Sequence, residues 1–231
     1  MIPNVRTVPR VVPAVIALTC VASAARAQSS VEPGRFAVAV GVVRVGAIGF
    51  GTRAANETTG AGGAFELFST SSALMAGIGM EARIDVRLAR SIEAEASGSY
   101  RKPELRSRVT TDVETSNAPI DVTDRVQQYT IAGGALWYPP KVHPPFAGRL
   151  FVGGAIGYTR QYENDGRLSI DGRSYELGAG LKWVFTSRAK GWWKGAGARA
   201  DLRALAQSRS LALDERTHVT PAVAASLFVR F

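Results

Sequence analysis

Leu74-Met-Ala-Gly-Ile-Gly-Met-Glu-Ala-Arg-Ile-Asp-Val-Arg-Leu88 is the stretch whose reading decides the fold. Its even positions are Leu74, Ala76, Ile78, Met80, Ala82, Ile84, Val86 and Leu88, while Gly77, Gly79, Glu81, Arg83, Asp85 and Arg87 fill odd ones. Strict alternation over that length places one apolar and one polar face on a β-strand, whereas a helix would scatter the same residues around its circumference. After Ala89-Arg90-Ser91 the alternation resumes, with Ile92, Ala94, Ala96, Gly98 and Tyr100 against Glu93, Glu95, Ser97 and Ser99.

Working outward, the same period predicts six more strands, near 35–45, 126–138, 149–162, 174–185, 192–205 and 217–231. The first is apolar on both sides, so its facing stays open at this point. The long connections are 46–72, 101–125, 163–173 and 206–216, and the shorter ones 89–91, 139–148 and 186–191. Eight strands with short and long connections in alternation are the pattern of an antiparallel membrane barrel with periplasmic turns and extracellular loops. A water-soluble barrel would also alternate, but two features separate the cases. The polar face carries Gly77, Gly79, Gly153, Gly157, Gly178, Gly180, Gly195 and Gly197, which weaken a solvated strand yet suit a cramped barrel interior. The apolar-face aromatics also sort by end. Tyr100, Tyr129, Tyr158, Tyr162 and Tyr175 fall near the loops, and Trp137, Trp183, Phe185, Trp192 and Phe231 near the turns, as two membrane interfaces select. The expected fold is an all-β, eight-stranded antiparallel up-and-down transmembrane β-barrel.

Residues 1–27 read as a cleavable export signal. Arg6 and Arg10 precede an apolar run from Val11 to Ala24, and Ala25-Arg26-Ala27 supplies the small-residue cleavage pattern. Thr19 is a poor residue before an acylated cysteine, which disfavours lipidation at Cys20. Residues 28–231 form the barrel domain, with 25 basic and 19 acidic side chains and no cysteine. Its stability must come from its core and closed sheet pairing, without disulfides. The chain's pI near 10.2 would suit a nucleic-acid partner, but export argues against one.

Together with the export signal and the eight strands, the segments Phe151-Val152-Gly153-Gly154-Ala155-Ile156-Gly157-Tyr158 and Leu177-Gly178-Ala179-Gly180-Leu181-Lys182-Trp183, and the terminal Phe231, resemble the outer-membrane β-barrel domain family, with its small OmpA-type and OmpX-type barrels. The resemblance implies residence in the bacterial outer membrane and Phe231 as the signal read by the barrel-assembly machinery. It covers nearly all of 28–231, on periodic and compositional motifs. No periplasmic peptidoglycan-binding domain follows the barrel, so cell-wall anchoring is not expected.

The richest constellation is the inward polar set: Glu81, Arg83, Asp85, Arg87, Glu93, Glu95, Glu176, Lys182, Arg199, Asp201 and Arg203. With 89–91 as a hairpin loop, inward residues pair so that Arg87 faces Glu93 and Asp85 faces Glu95. Pairing 185 with 192 would put Glu176 opposite Asp201. Such a set is either a charged gate or a lumen-filling salt-bridge network, and the narrow interior favours the network.

Other motifs carry less. His218 and Thr220, below Asp214 and Glu215, only loosely resemble the hydrolytic set of lipid A deacylases, which have Ser where Thr220 stands, and the favoured reading is a rim histidine in a polar patch. Two histidines, one of them His143 in a Pro-rich turn, support no metal site. Gly195-Ala-Gly-Ala-Arg-Ala200 matches a dinucleotide pattern but opens no helix. Arg90, Lys141, Arg149, Arg188 and Lys190 stand in the turns with no acid among them; headgroup contact and simple basic excess both remain open.

The expectation is a non-enzymatic outer-membrane protein, monomeric, without cofactor, in contact with outer-membrane lipids and serving envelope structure or surface interaction through its loops. A small porin-like channel is the alternative, and a lipid-modifying enzyme a more distant one.

Overall fold

The computed structural model describes residues 34–58, 62, 64–110, 119–140, 148–163, 169–208 and 217–231. The expected export signal, at 1–27, lies outside them. The strands are β1 (Phe36–Val45), β2 (Ile48–Thr58), β3 (Ala64–Leu74), β4 (Gly77–Ala89), β5 (Ile92–Arg101), β6 (Glu104–Thr110), β7 (Ile120–Trp137), β8 (Gly148–Glu163), β9 (Ser169–Ser187), β10 (Gly195–Ser208) and β11 (His218–Arg230). Eight of them close into a barrel in the order β1-β4-β5-β7-β8-β9-β10-β11, every pairing antiparallel. The seam joins β1 to β11, from Ala37↔Arg230 to Val45↔Ala222, so the barrel itself has no open edge.

The eight barrel strands are those the alternation predicts, but the connections differ. The segments 46–72 and 101–125 were expected as loops; most of each is strand. β2 pairs with β3, β3 with β6, and β6 with the first residues of β7, forming a four-stranded wall that continues the barrel beyond its loop end. The features that read as loop are what pair here. The Ser-rich run puts the Ser72 hydroxyl 3.0 Å from that of Ser107. The mixed charges are cross-strand partners, Arg108 with Asp121 at 3.7 Å and Arg125 with Glu104 at 3.9 Å. The expected loop 163–173 is likewise mostly strand, because β8 runs to Glu163 and β9 starts at Ser169. The last turn falls at 188–194 rather than 186–191, with Gly191 at a φ of +112°.

Burial is inverted relative to a soluble domain. On β4, the outward Ile78 and Met80 are 68% and 73% exposed, while the inward Arg83 and, across the lumen on β9, Lys182 are each 2% exposed. Water would reverse that arrangement; a hydrocarbon surround produces it, and the barrel is a transmembrane one. On β1 the even side chains, with Val40 and Val42, point outward, and Ala37, Ala39, Val43 and Val45 are buried inside, which settles the facing that sequence left open.

The outer surface carries its aromatics in two bands. At the loop end the Tyr129 ring packs 4.7 Å from Tyr100 and 6.0 Å from Tyr162. At the turn end Phe231 lies 5.5 Å from Trp192 and 5.9 Å from Phe36, and Trp183 lies 6.0 Å from Phe185. Arg160, an outward cation at the loop-end band, is held 3.5 Å from Asp171 and over the Tyr162 ring. Inside, glycine is needed where side chains crowd. A Cβ on Gly197 would stand 2.0 Å from the Trp183 carbonyl oxygen and 2.5 Å from the Phe228 ring.

The inverted burial gives a direct test. Ile84 lies outward near mid-height, paired with Val38 and Ala96. Ile84→Arg should lower the unfolding free energy in lipid by about 2–4 kcal/mol, measured by urea titration in vesicles. A change within about 0.5 kcal/mol, as for a solvated surface position, would speak against the membrane placement.

Candidate functional site

Strand pairing decides which inward side chains meet. β4 and β5 pair Arg87 with Glu93, Asp85 with Glu95, Arg83 with Ser97 and Glu81 with Ser99, the register expected from the three-residue loop. β9 and β10 pair Lys182 with Arg199, Gly180 with Asp201, Gly178 with Arg203 and Glu176 with Leu205. That register corrects the expected one, in which Glu176 faced Asp201. The chain turns over 188–194 and a bulge follows at Ala196/Gly197, which moves Asp201 opposite Gly180. Sterics agree with the observed register, since a Cβ on Gly180 would lie 2.6 Å from the Asp201 Cβ and 2.5 Å from the Phe151 ring. It also keeps Glu176 and Asp201 from standing directly opposite as like charges.

The eleven side chains form one connected set of ion pairs. Nearest the turns, Arg87 lies 3.4 Å from Glu93, and Lys182 reaches across the lumen to Glu93 at 2.6 Å and Asp85 at 2.7 Å. The Tyr138 hydroxyl donates to the same Glu93 carboxylate at 2.6 Å. One layer up, Arg199 pairs closely with Glu95 and stands 3.8 Å from Asp85 and 3.5 Å from Asp201. It therefore separates Asp85 and Glu95, two like charges that the register sets face to face. Above that, Arg83 holds Glu81 at 2.6 Å and Asp201 at 3.2 Å, with Glu95 at 3.9 Å. Arg203 closes the set, at 2.7 Å from both Asp201 and Glu81 and 3.1 Å from Glu176. Charges taken out of water cost several kcal/mol each, and only pairing of this density offsets it.

Buried apolar and aromatic clusters flank these charges on both sides. Toward the turns, Leu136, Tyr138 and Phe151 form a buried cluster, with the Arg199 guanidinium 4.5 Å from the Phe151 ring and Arg149 at 4.2 Å from that of Tyr138. Toward the wall, Val43, Val45, Leu205, Ala222 and Ala224 pack together, and Ile48, Phe50, Leu74 and Val126 cap the mouth with Leu105 against them. Arg101 donates to Gln128 at 2.9 Å near that mouth. Between the charged layers a cavity of about 20 Å³, lined by Glu95, Phe151, Glu176, Arg199 and Arg203 among others, has room for one water molecule.

Tyr138, Phe151, Arg101 and Arg230 are lumen residues that the sequence reading missed. Parity was the available signal: each sits next to a residue assigned outward, as Tyr138 does to Trp137 and Arg230 to Val229 and Phe231. The remaining motifs do not assemble. The His218 ring packs edge-on to Phe50 at 5.4 Å, and the buried Thr220 hydroxyl lies 3.4 Å from the Ala47 carbonyl. Asp214, Glu215 and His143 lie outside the described residues. Residues 195–200 run along β10 and approach no helix. Among the described residues, no group of three or more His, Cys, Asp and Glu side chains is placed to hold a metal ion.

No protein-family model matches the chain, and no curated protein matches it. Solved structures similar to it include two outer-membrane barrels. One is the outer membrane protein OprG from Pseudomonas aeruginosa, at 12% identity and a TM-score of 0.48, over 86% of this chain and 95% of that one. The other is the N-terminal β-barrel domain of Pseudomonas aeruginosa OprF, at 12% identity and a TM-score of 0.35, over 85% and 99%. The barrel assignment stands on this chain's own strand pairing.

Removing one cation tests how the charges are held. Arg83→Ala leaves Glu81 and Asp201 buried beside Arg203, and strips one partner from each. The unfolding free energy should fall by about 3–5 kcal/mol, read from urea unfolding of the heat-modifiable form. A loss under about 1 kcal/mol would mean that water reaches the site and screens it.

Proposed function

We propose that this protein is a non-enzymatic barrel of the bacterial outer membrane that keeps its lumen shut and displays the β2-β3-β6-β7 wall at the cell exterior. The observation that carries the reading is the unbroken run of ion pairs from Arg87 to Glu176, which spans the lumen. Interiors of eight-stranded barrels are just wide enough for side chains to fill, so a filled lumen is a structural core and not a conduit.

The orientation follows from the ends. The turns at Arg90-Ser91 and 188–194, with the adjoining ends of β7 at Trp137 and β8 at Gly148, lie at one end and the wall at the other, which suits short periplasmic turns beneath an extracellular extension. Most of the wall's outward charges, including Arg108, Asp121, Glu104 and Arg125, are exposed pairs on strands, so it offers a firm, mixed-charge surface for envelope or surface contacts. Phe231 closes the last strand. Its N–H donates to the Phe36 carbonyl at 2.8 Å and its ring sits between Phe36 and Trp192. That aromatic end is the part the assembly machinery would read during insertion. The protein works as a monomer among outer-membrane lipids, with no cofactor.

Planar-bilayer recording tests this function. The full chain should give no steady conductance, with at most brief, small openings. A large, steady conductance would overturn the closed-lumen reading in favour of a small channel for ions or solutes.

A further inference from the structure

The outer surface is not evenly convex. Cross-strand pairing aligns Trp183, Ala198, Leu227 and Val40 in one outward row, and Leu181, Ala200, Ala225 and Val42 in the next, toward the loop end. Large side chains on β9 and β1, with Leu227 on β11, thus flank a floor made by Ala198 and Ala200 on β10 and Ala225 on β11. Phe185 extends the β9 side toward the turns, and the backbone of Gly41 and Ser226 lies beneath. The result is an apolar groove of about 540 Å³ on the membrane face, within the range of small-molecule sites, about 300–1,000 Å³.

The groove ends beside a one-sign rim. The β9–β10 turn carries Arg188, Lys190 and Lys194, and Arg35 precedes β1. No Asp or Glu occurs in 184–200, 34–44 or 222–231, the segments that build the groove and its lower edge. The turn is fixed in place: the Arg188 N–H donates to the Lys194 carbonyl at 2.9 Å, and the Lys194 N–H to that of Arg230 at 2.7 Å. The Arg188 guanidinium stacks 4.0 Å from the Trp193 ring, which holds it at the membrane edge. Phe185 lies three residues before Arg188, so the apolar side of the groove ends close to the basic turn.

We propose that this groove and rim bind one anionic glycerophospholipid of the periplasmic leaflet, with an acyl chain along the alanine floor and the phosphate on Arg188 and Lys190. The assignment rests on the transmembrane placement and orientation above. A lipid is favoured over other occupants on shape and charge. Acyl chains are thin and flexible enough to follow a groove two strands wide. A second copy of the barrel is convex, would meet the groove's flanks first, and would bring a second basic rim against this one. Apolar burial and attraction between basic side chains and anionic headgroups act together at such an edge.

The experiment uses the full chain in nanodiscs of phosphatidylethanolamine, phosphatidylglycerol and phosphatidylcholine, released intact into a mass spectrometer. Wild type should retain one phosphatidylglycerol in preference to the zwitterionic lipids. Ala198→Phe, which fills the floor, and the pair Arg188→Glu with Lys190→Glu should each lower that retention by about tenfold. Ala135→Phe, outward on β7 away from the groove, should leave it unchanged. All variants alter outward or turn positions, and heat-modifiable migration on gels confirms that each is folded. Equal retention of phosphatidylcholine, retention indifferent to Ala198→Phe, or a dimer that Ala198→Phe abolishes would each overturn the proposal. Lipid selectivity and lumen conductance are independent readouts, so failure of the groove leaves the closed lumen standing, and the reverse.

Discussion

Closing eight antiparallel strands leaves an interior only as wide as the side chains that fill it, and the other features of the molecule follow from that confinement. Inward positions must be very small or must interlock. Gly178 and Gly180 stand opposite Arg203 and Asp201, so each long side chain has a vacant neighbour to extend over. The ions themselves are tolerable only as a set. Glu81, Asp201 and Glu95 each touch two or more cations, and Arg199 and Arg203 each touch three acids. Loss of one member exposes its partners to an apolar wall with no solvent to replace it, which is the condition that makes buried ion pairs expensive to break. Buried layers of Leu136, Tyr138 and Phe151 on one side and Ile48, Phe50, Leu74 and Val126 on the other enclose the set.

The outside answers to a different constraint. Lipid accepts any apolar side chain, so the outer face is free to vary in relief, and the alanines of β10 and β11 between larger residues create a groove without cost to the ladder beneath. The rims are where water, headgroup and hydrocarbon meet, and there Trp192, Phe231 and Tyr129 mark the boundary. In the proposed orientation the basic turn end meets a leaflet and the mixed-charge wall meets the exterior, which accounts for their difference.

Much of this is legible in the sequence because a strand's period is two, and one long run such as 74–88 displays it directly. The β4–β5 register was readable too, since a short loop leaves few ways to pair Arg87 with Glu93. The β9–β10 register was not. A longer turn and a bulge at Ala196/Gly197 shift the pairing, and neither leaves a periodic trace. The wall was hidden by composition: Ser69-Thr70-Ser71-Ser72 reads as a loop until β6 supplies its partners, and Arg108 reads as a solvated charge until Asp121 stands across from it. Tyr138 and Phe151 were left out because the inward set was read on charge, although their parity places them inside.

A double-mutant cycle on Lys182 and Asp85, which face each other across the lumen at 2.7 Å, tests the central claim that the lumen is a dry, mutually paired core. The variants are Lys182→Met, Asp85→Asn and their combination, with unfolding free energies measured in the same vesicles. A paired core predicts a coupling energy of about 1–3 kcal/mol, whereas additivity within about 0.5 kcal/mol would show two charges each solvated on its own and would contradict the account.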